Sequence, residues 1–279
     1  YDRDSDTLRP VAWEQAFARI GEILRGLQPD EVEFYTSGRA SNEAAWLFQL
    51  FAREYGTNNF PDCSNMCHES TSVGLPQSIG IGKGTVSLDD FDQTELVISI
   101  GHNPGTNHPR MMGTLHELSR RGVPIIVFNP LRERALERFA DPQNVMEMAT
   151  RRSTPIASTY YQVRAGGDAA ALKGIAKALL QLEEEQGNVL DHAFIAQHTQ
   201  GFTAFADDLH ATRWQDIEQE SGLTRESLNQ VAAAYAKSRA TIVTYGMGIT
   251  QHNKGTSNVR LIADLLLMRG NIGKPGAGI

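Results

Sequence analysis

The stretch "ELVISIGHNPGTNHP", residues 95–109, decides how the chain is read. Its first half is a short, continuous apolar run rich in β-branched residues. Runs of that kind belong to strands buried on both faces, as in a parallel sheet covered by helices. Its second half turns polar at Gly101 and places His102, Asn103, Thr106 and His108 in one loop. Helix spacing then takes over through about residue 121.

Working outward, the same rhythm recurs. "PIIVFNP" (124–130), "YYQVRAG" (160–166) and "ATIVTYGMG" (240–248) are further buried-strand runs. Helix patterns follow over 168–185, over 225–237 behind a Thr224 cap, and over 257–268 up to Gly270. This alternation predicts an α/β fold with a mostly parallel sheet and helices on both faces. Upstream, Trp13 to Leu27 has helix spacing, "EVEFYTSG" (31–38) alternates as a strand would, and Ser41 caps a helix over 42–55. Residues 131–159, with Pro142, Pro155 and the pair Arg151–Arg152, read as a surface insertion. The Gly-x-Gly-x-Gly run at 80–84 follows no strand and lacks the acidic partner of a dinucleotide fingerprint, so it reads as a turn.

Composition narrows the function classes. With 279 residues, 41% of them apolar, the chain can fill one large domain or two smaller ones. A net charge of −7 argues against nucleic acid as the main partner. No apolar run approaches the ~18 residues of a membrane span, and no signal peptide is visible. Two cysteines make no disulfide framework, which points to a reducing, cytoplasmic setting. The opening at Tyr1 without methionine and the close on "GNIGKPGAGI" suggest a piece of something longer.

In open α/β sheets, ligands sit outside the carboxyl ends of the strands. Here those ends run into "GHNPGTNHP", "NP", "AGGD" and "GMGITQ". Gly and Asn at such points let backbone N–H groups approach a ligand closely. Ordinary turn chemistry accounts for any one of these loops. Four on one sheet edge point to a long, polar, nucleotide-like ligand.

The stretch "NNFPDCSNMCHESTSVGL" (58–75) holds both cysteines, Cys63 and Cys67, with His68 and Glu69 after the second. Cys67 sits where "SNMCHES" reads as the start of a helix. A helix N-terminus and a neighbouring imidazolium both favour a thiolate, which is a nucleophile or a soft metal ligand. The competing reading is a buried cysteine packed as a small hydrophobe, and polar neighbours on both sides weigh against it. Cys63, Cys67 and His68 are too few for a zinc site.

These residues, in this order, resemble the molybdopterin oxidoreductases, and among them the formate dehydrogenase-like branch. The resemblance runs from "RPVAWEQAFARI" through "GTNNFPDCSNMCHES", "GHNPGTNHPRM", "GGDAAAL" and "GMGITQ" to "GNIGKPGAGI". It implies a two-electron oxidation or reduction of a small substrate at molybdenum or tungsten held by bis-molybdopterin guanine dinucleotide. By resemblance, Cys67 is the protein ligand of the metal and His68 the adjacent proton-handling residue. Asn103, Thr106, His108, Asn129, Pro130, Gly167, Asp168, Met247 and Gln251 match positions around one dinucleotide. Three positions depart from formate dehydrogenases: Glu69 stands for glycine, and Thr106 and Asn129 for aspartates. They leave the substrate open.

The resemblance further implies that residues 1–62 are part of a discontinuous second α/β domain. Residues 63–279 would be most of a Rossmann-like dinucleotide domain. A 4Fe–4S cluster is expected only from a segment preceding this chain. The substrate-anchoring arginine and the domain around the other dinucleotide are expected beyond Ile279. The electron-transfer partner is open. Two other functions compete: a non-catalytic relative of the same fold, and an unrelated thiol enzyme built on Cys67.

Overall fold

The apolar runs pair as the sequence predicts. In the computed structural model, β1 (Leu96–Ile100), β2 (Ile125–Phe128), β5 (Thr159–Tyr161) and β6 (Thr241–Tyr245) form one sheet, while β3 (Arg138–Phe139) and β4 (Thr154–Pro155) form a small antiparallel pair. The large sheet has the order β5-β2-β1-β6, and every neighbouring pair in it is parallel. Residues 1–37, 40–61, 63–150 and 152–279 are described, Cys63 and Ser64 by their backbone alone. The described chain divides into two compact units, Tyr1–Cys63 and Ser64–Ile279.

In the second unit, side chains alternate between two cores, as a strand's period of two requires. Leu96, Ile98, Ile100, Phe128 and Val243 face the larger core. Val97, Ile125, Val127 and Ile242 face the smaller one. The larger core is closed by α9 (Asp168–Gln186), α13 (Arg225–Lys237) and α15 (Gly255–Leu267). Around α9 pack α10 (His192–His198), α11 (Phe202–Ala211) and α12 (Trp214–Ser221). The smaller core is closed by α6 (Pro109–Arg120), with Phe91 from α4 (Asp90–Gln93) and Leu136 from α7 (Arg134–Glu137). The remaining helices of this unit are α3 (Cys63–Ile79), α5 (Pro104–Asn107), α8 (Val145–Thr150) and α14 (Met247–Thr250).

Chain order places the site. From β1 the chain moves to β2 and β5 on one side, then returns to β6 on the other side of β1. The strand order therefore reverses between β1 and β6, which opens a crevice at their carboxyl ends. The two loops there meet tightly. Gly101 has φ +57°, and a Cβ on it would lie 2.9 Å from the Gly248 carbonyl carbon. The Gly248 N–H donates to the Gly101 carbonyl at 3.1 Å. Only glycine satisfies both the left-handed backbone and the close approach.

Two expectations change. Residues 131–159 are more than a surface insertion, because Leu136 and Ile156 are fully buried in the smaller core. Arg151 lies outside the described residues. Residues 32–37 form no strand; they follow a 3₁₀ turn at Pro29–Glu31. A strand needs a hydrogen-bonded ladder, and here the Phe34 N–H donating to the Asn59 carbonyl at 2.9 Å stands in its place. The alternation instead seats Phe34 against the rings of Phe48, Phe51 and Tyr55. Gly38, taken as the end of that strand, is outside the described residues.

The first unit also holds α1 (Trp13–Arg25) and α2 (Asn42–Tyr55). Ser41 caps α2 as predicted, its hydroxyl accepting from the Ala44 N–H at 3.1 Å. The Tyr55 hydroxyl, from α2, donates to the Leu24 carbonyl of α1 at 2.7 Å. No helix among the described residues is long and apolar enough to cross a membrane.

Candidate active site

A groove of about 1310 Å³ lies over the β1–β6 switch point. The loop after β1 supplies Gly101, His102, Asn103, Asn107 and His108; the end of β2 supplies Asn129; the loop after β6 supplies Gly246, Met247 and Gly248. Helix α3 brings Cys67, His68 and Thr71 to the same groove. Cys67 is a free, half-buried thiol, so its sulfur is not packed away as a core hydrophobe. The side chain of Cys63 lies outside what is described.

The local structure at Cys67 differs from the expected helix start. Helix α3 begins at Cys63 and breaks at His68, where φ is −138° and ψ 22°. Cys67 thus closes one short helical segment, and a second begins after His68. The His68 Nδ1 lies 3.5 Å from the Thr71 hydroxyl, which is 2.8 Å from the Tyr245 hydroxyl at the end of β6.

His102 and His108 form a pair, Nε2 to Nδ1 at 3.0 Å. His102 is buried, and burial first, then the charge of His108, pushes its pKa down to about 4. The ring is therefore neutral at pH 7. Its Nδ1 is buried without a protein partner. Asn103 has protein partners at both ends of its amide: its oxygen accepts from the Thr106 N–H at 3.1 Å and its nitrogen donates to Glu133 at 2.6 Å. The Asn129 amide donates to the His102 carbonyl at 3.2 Å.

Of the predicted site residues, Cys67, His68, Asn103, His108, Asn129 and Met247 line this groove. Thr106, Pro130, Gly167, Asp168 and Gln251 do not. Thr106 is exposed in α5, and the Pro130 carbonyl accepts from Gln162 at 3.1 Å. Gly167 abuts the backbone of Ser221, where a Cβ would lie 2.8 Å from the Ser221 Cα. Asp168 opens α9 beside a small internal space lined by Ile100, Phe128 and Leu172, and burial pushes its carboxyl up. The Gln251 amide donates to the Met66 carbonyl at 3.2 Å.

Sequence reasoning missed Glu133, which lines the groove and anchors Asn103. Its signal was its place just past the "NP" strand end, hidden by reading 131–159 as an insertion. It also missed Thr250, whose hydroxyl donates to the Cys67 carbonyl at 2.5 Å.

The chain matches the family "Molybdopterin oxidoreductase" over residues 1–279. The chain belongs to that family. Its relatives place it among the formate dehydrogenase-like members. Protein YdeP of Escherichia coli K12 is 56% identical over all of this chain and 38% of its own length. Formate dehydrogenase H of the same strain is 29% identical over 98% of this chain and 36% of its own. The chain therefore spans well under half the length of these curated relatives. Acetylene hydratase from Pelobacter acetylenicus superposes with a TM-score of 0.65 at 19% identity, covering 97% of this chain and 34% of that one, which shows a shared fold.

Family membership implies a molybdenum or tungsten pterin cofactor. The groove suits such a group in size and chemistry: it offers about 1310 Å³, with the half-buried Cys67 and the polar Asn103, His108 and Asn129 among its lining residues. Among the described residues no cluster of three His, Cys, Asp or Glu side chains could hold a metal without further ligands. A metal at Cys67 would thus take most of its ligands from the cofactor.

Proposed function

We propose that this chain is the central part of a molybdenum or tungsten enzyme that uses bis-molybdopterin guanine dinucleotide for a two-electron oxidation or reduction of a small molecule. The observation that carries this reading is the placement of Cys67 and His68 on the same groove as the loops of the β1–β6 switch point. Formate, the substrate named for formate dehydrogenase H, is the first candidate; Glu69, Thr106 and Asn129 argue for a different one.

When bound, the cofactor supplies the centre that exchanges two electrons with the substrate. Cys67 would hold it, because a thiolate is soft and anionic and suits a metal already bound by sulfur. His68 takes up or returns the substrate proton, since imidazole exchanges protons near neutral pH. Thr71 orients the His68 ring and is itself held by Tyr245. The His102–His108 pair presents a polar edge to the dinucleotide. The Asn103–Glu133 side-chain bond and the Asn129 amide donating to the His102 carbonyl keep that loop in shape. Thr106, Pro130, Gly167 and Asp168 do not line the groove, so in this reading they make no direct contact with the dinucleotide. A 4Fe–4S cluster and an electron-transfer partner belong to the whole protein in this reading. In this reading the protein works in a reducing, cytoplasmic setting.

Metal and nucleotide analysis of the full-length protein tests the reading. One molybdenum or tungsten per chain, with two GMP released per metal on acid hydrolysis, is the expected result. In Cys67→Ala, turnover should fall by at least ~10³-fold, the scale of a lost reacting group. A protein with no metal and no pterin would be the non-catalytic relative. With the family established, an unrelated thiol enzyme no longer competes.

A further inference from the structure

We infer that Thr250 and Gln251 are positioning residues that set the Cys67–His68 break through the main chain. The inference rests on the reading of Cys67 and His68 as the reacting pair, and it gives Gln251 a role other than touching cofactor.

The last carbonyls of a helical segment have no partner within it and must find one elsewhere. The first segment of α3 ends at Cys67. Its Cys67 carbonyl accepts from the Thr250 hydroxyl at 2.5 Å, and its Met66 carbonyl accepts from the Gln251 amide at 3.2 Å. On the far side of the break, the Ser70 hydroxyl donates to the Thr250 carbonyl at 2.8 Å. One short stretch after β6 therefore grips the chain both before and after His68. Thr250 is buried and Gln251 exposed, so the two bonds sit at different depths. Gly255 keeps room for the arrangement, because a Cβ there would strike both the Thr250 carbonyl and the Ser70 hydroxyl.

A helix broken at one residue has several ways to redirect the next side chain, and unsatisfied carbonyls leave that choice free. Capping both carbonyls removes it. The direction of the Cys67 sulfur and of the His68 ring is thus fixed by residues 250 and 251, although neither residue is in the groove lining. Catalytic geometry depends on such supporting bonds at the scale of a fraction of an ångström.

The test needs no cofactor. Iodoacetamide alkylation of Cys67 is followed by mass spectrometry of its peptide from pH 6 to 10, in the wild type, Thr250→Val, Thr250→Ser and Gln251→Leu. Urea unfolding is measured alongside, and rates are compared only under conditions where each variant is folded. Thr250→Val should raise the high-pH alkylation rate about threefold or more, since the released turn shows its thiol more often. Thr250→Ser, which keeps the hydroxyl, should restore the wild-type rate. Gln251→Leu should change the rate in the same direction by less. An unchanged Cys67 profile in folded Thr250→Val overturns the inference, and so does an equal change in Thr250→Val and Thr250→Ser. If Thr250→Val fails to fold, the exposed Gln251→Leu decides: an unchanged profile there overturns the inference. A protein free of metal would defeat the proposed function without touching this result.

Discussion

Helices α1 and α13 carry the same apolar spacing and meet opposite fates. In α1 the stripe is Trp13, Ala16, Phe17 and Ile20, and no residue of that helix is buried; Trp13 is 74% exposed. In α13 the stripe is Leu228, Val231, Ala232 and Tyr235, and all four are buried, Tyr235 completely. Both stripes follow the i, i+3, i+4, i+7 rule of an amphipathic helix. The difference teaches that periodicity specifies which face of a helix is apolar and says nothing of what covers it. The unit Ser64–Ile279 contains the covers for its own stripes. In the unit Tyr1–Cys63, α2 likewise buries only Ala52.

The comparison can be broken most directly by matched truncations. Leu228→Ala should destabilise the chain by about 2–5 kcal/mol, the range for a large-to-small change in a packed core. Phe17→Ala should stay within about 0.5 kcal/mol, as exposed sites do. Urea unfolding followed by circular dichroism measures both. A loss from Phe17→Ala as large as that from Leu228→Ala would erase the contrast.

A second prediction sharpens it, because burial in the second unit carries a cost as well. His102 titrates at about 4 when folded and near 6.5 when unfolded. The unfolded state therefore binds more protons between those values, so stability falls as pH drops from 6.5 toward 4. His102→Gln should flatten that acid limb, reducing the difference in unfolding free energy between pH 7 and pH 4.5 by roughly 2–3 kcal/mol. Denaturant titrations at the two pH values check this. An acid limb identical to wild type would show that His102 is not shielded as described.

The smallest effect lies in the first unit. Tyr55→Phe removes the hydroxyl that ties α2 to the Leu24 carbonyl, at a cost of about 1 kcal/mol. Hydrogen exchange should show faster opening of α1 and α2, with the sheet amides of β1 and β2 unchanged. Coupled loss of protection in the sheet would mean that the two units open together.

What was legible in the sequence follows from the same contrast. Strands β1, β2 and β6 announced themselves because they are mostly buried between the two cores, which demands near-continuous apolar runs; β5 is a part-exposed edge strand. The switch-point loops were legible because Gly101 and Gly248 must be glycine where the two loops touch. Residues 32–37 misled because alternation reports one buried side, and Phe34 obtains that from an aromatic cluster without a ladder. The His102–His108 pair was visible only as two loop histidines; their contact depends on the α5 turn between them. Asp168 followed the family pattern, yet its place at the head of α9 buries it beside an internal space. The grip of Thr250 and Gln251 on α3 links positions 183 to 185 residues apart, and no local pattern encodes such a bond.

The strand order has a consequence for the nascent chain. β1 lies inside the sheet, and its two neighbours are made at very different times. Ile125 of β2 pairs with Val97 within a short stretch of synthesis, whereas Thr241 of β6 pairs with Leu96 from about 145 residues further on. At ribosomal rates of about 5–20 residues per second, one edge of β1 waits roughly 7–30 s for its partner. During that interval a largely apolar strand is an open template for other chains.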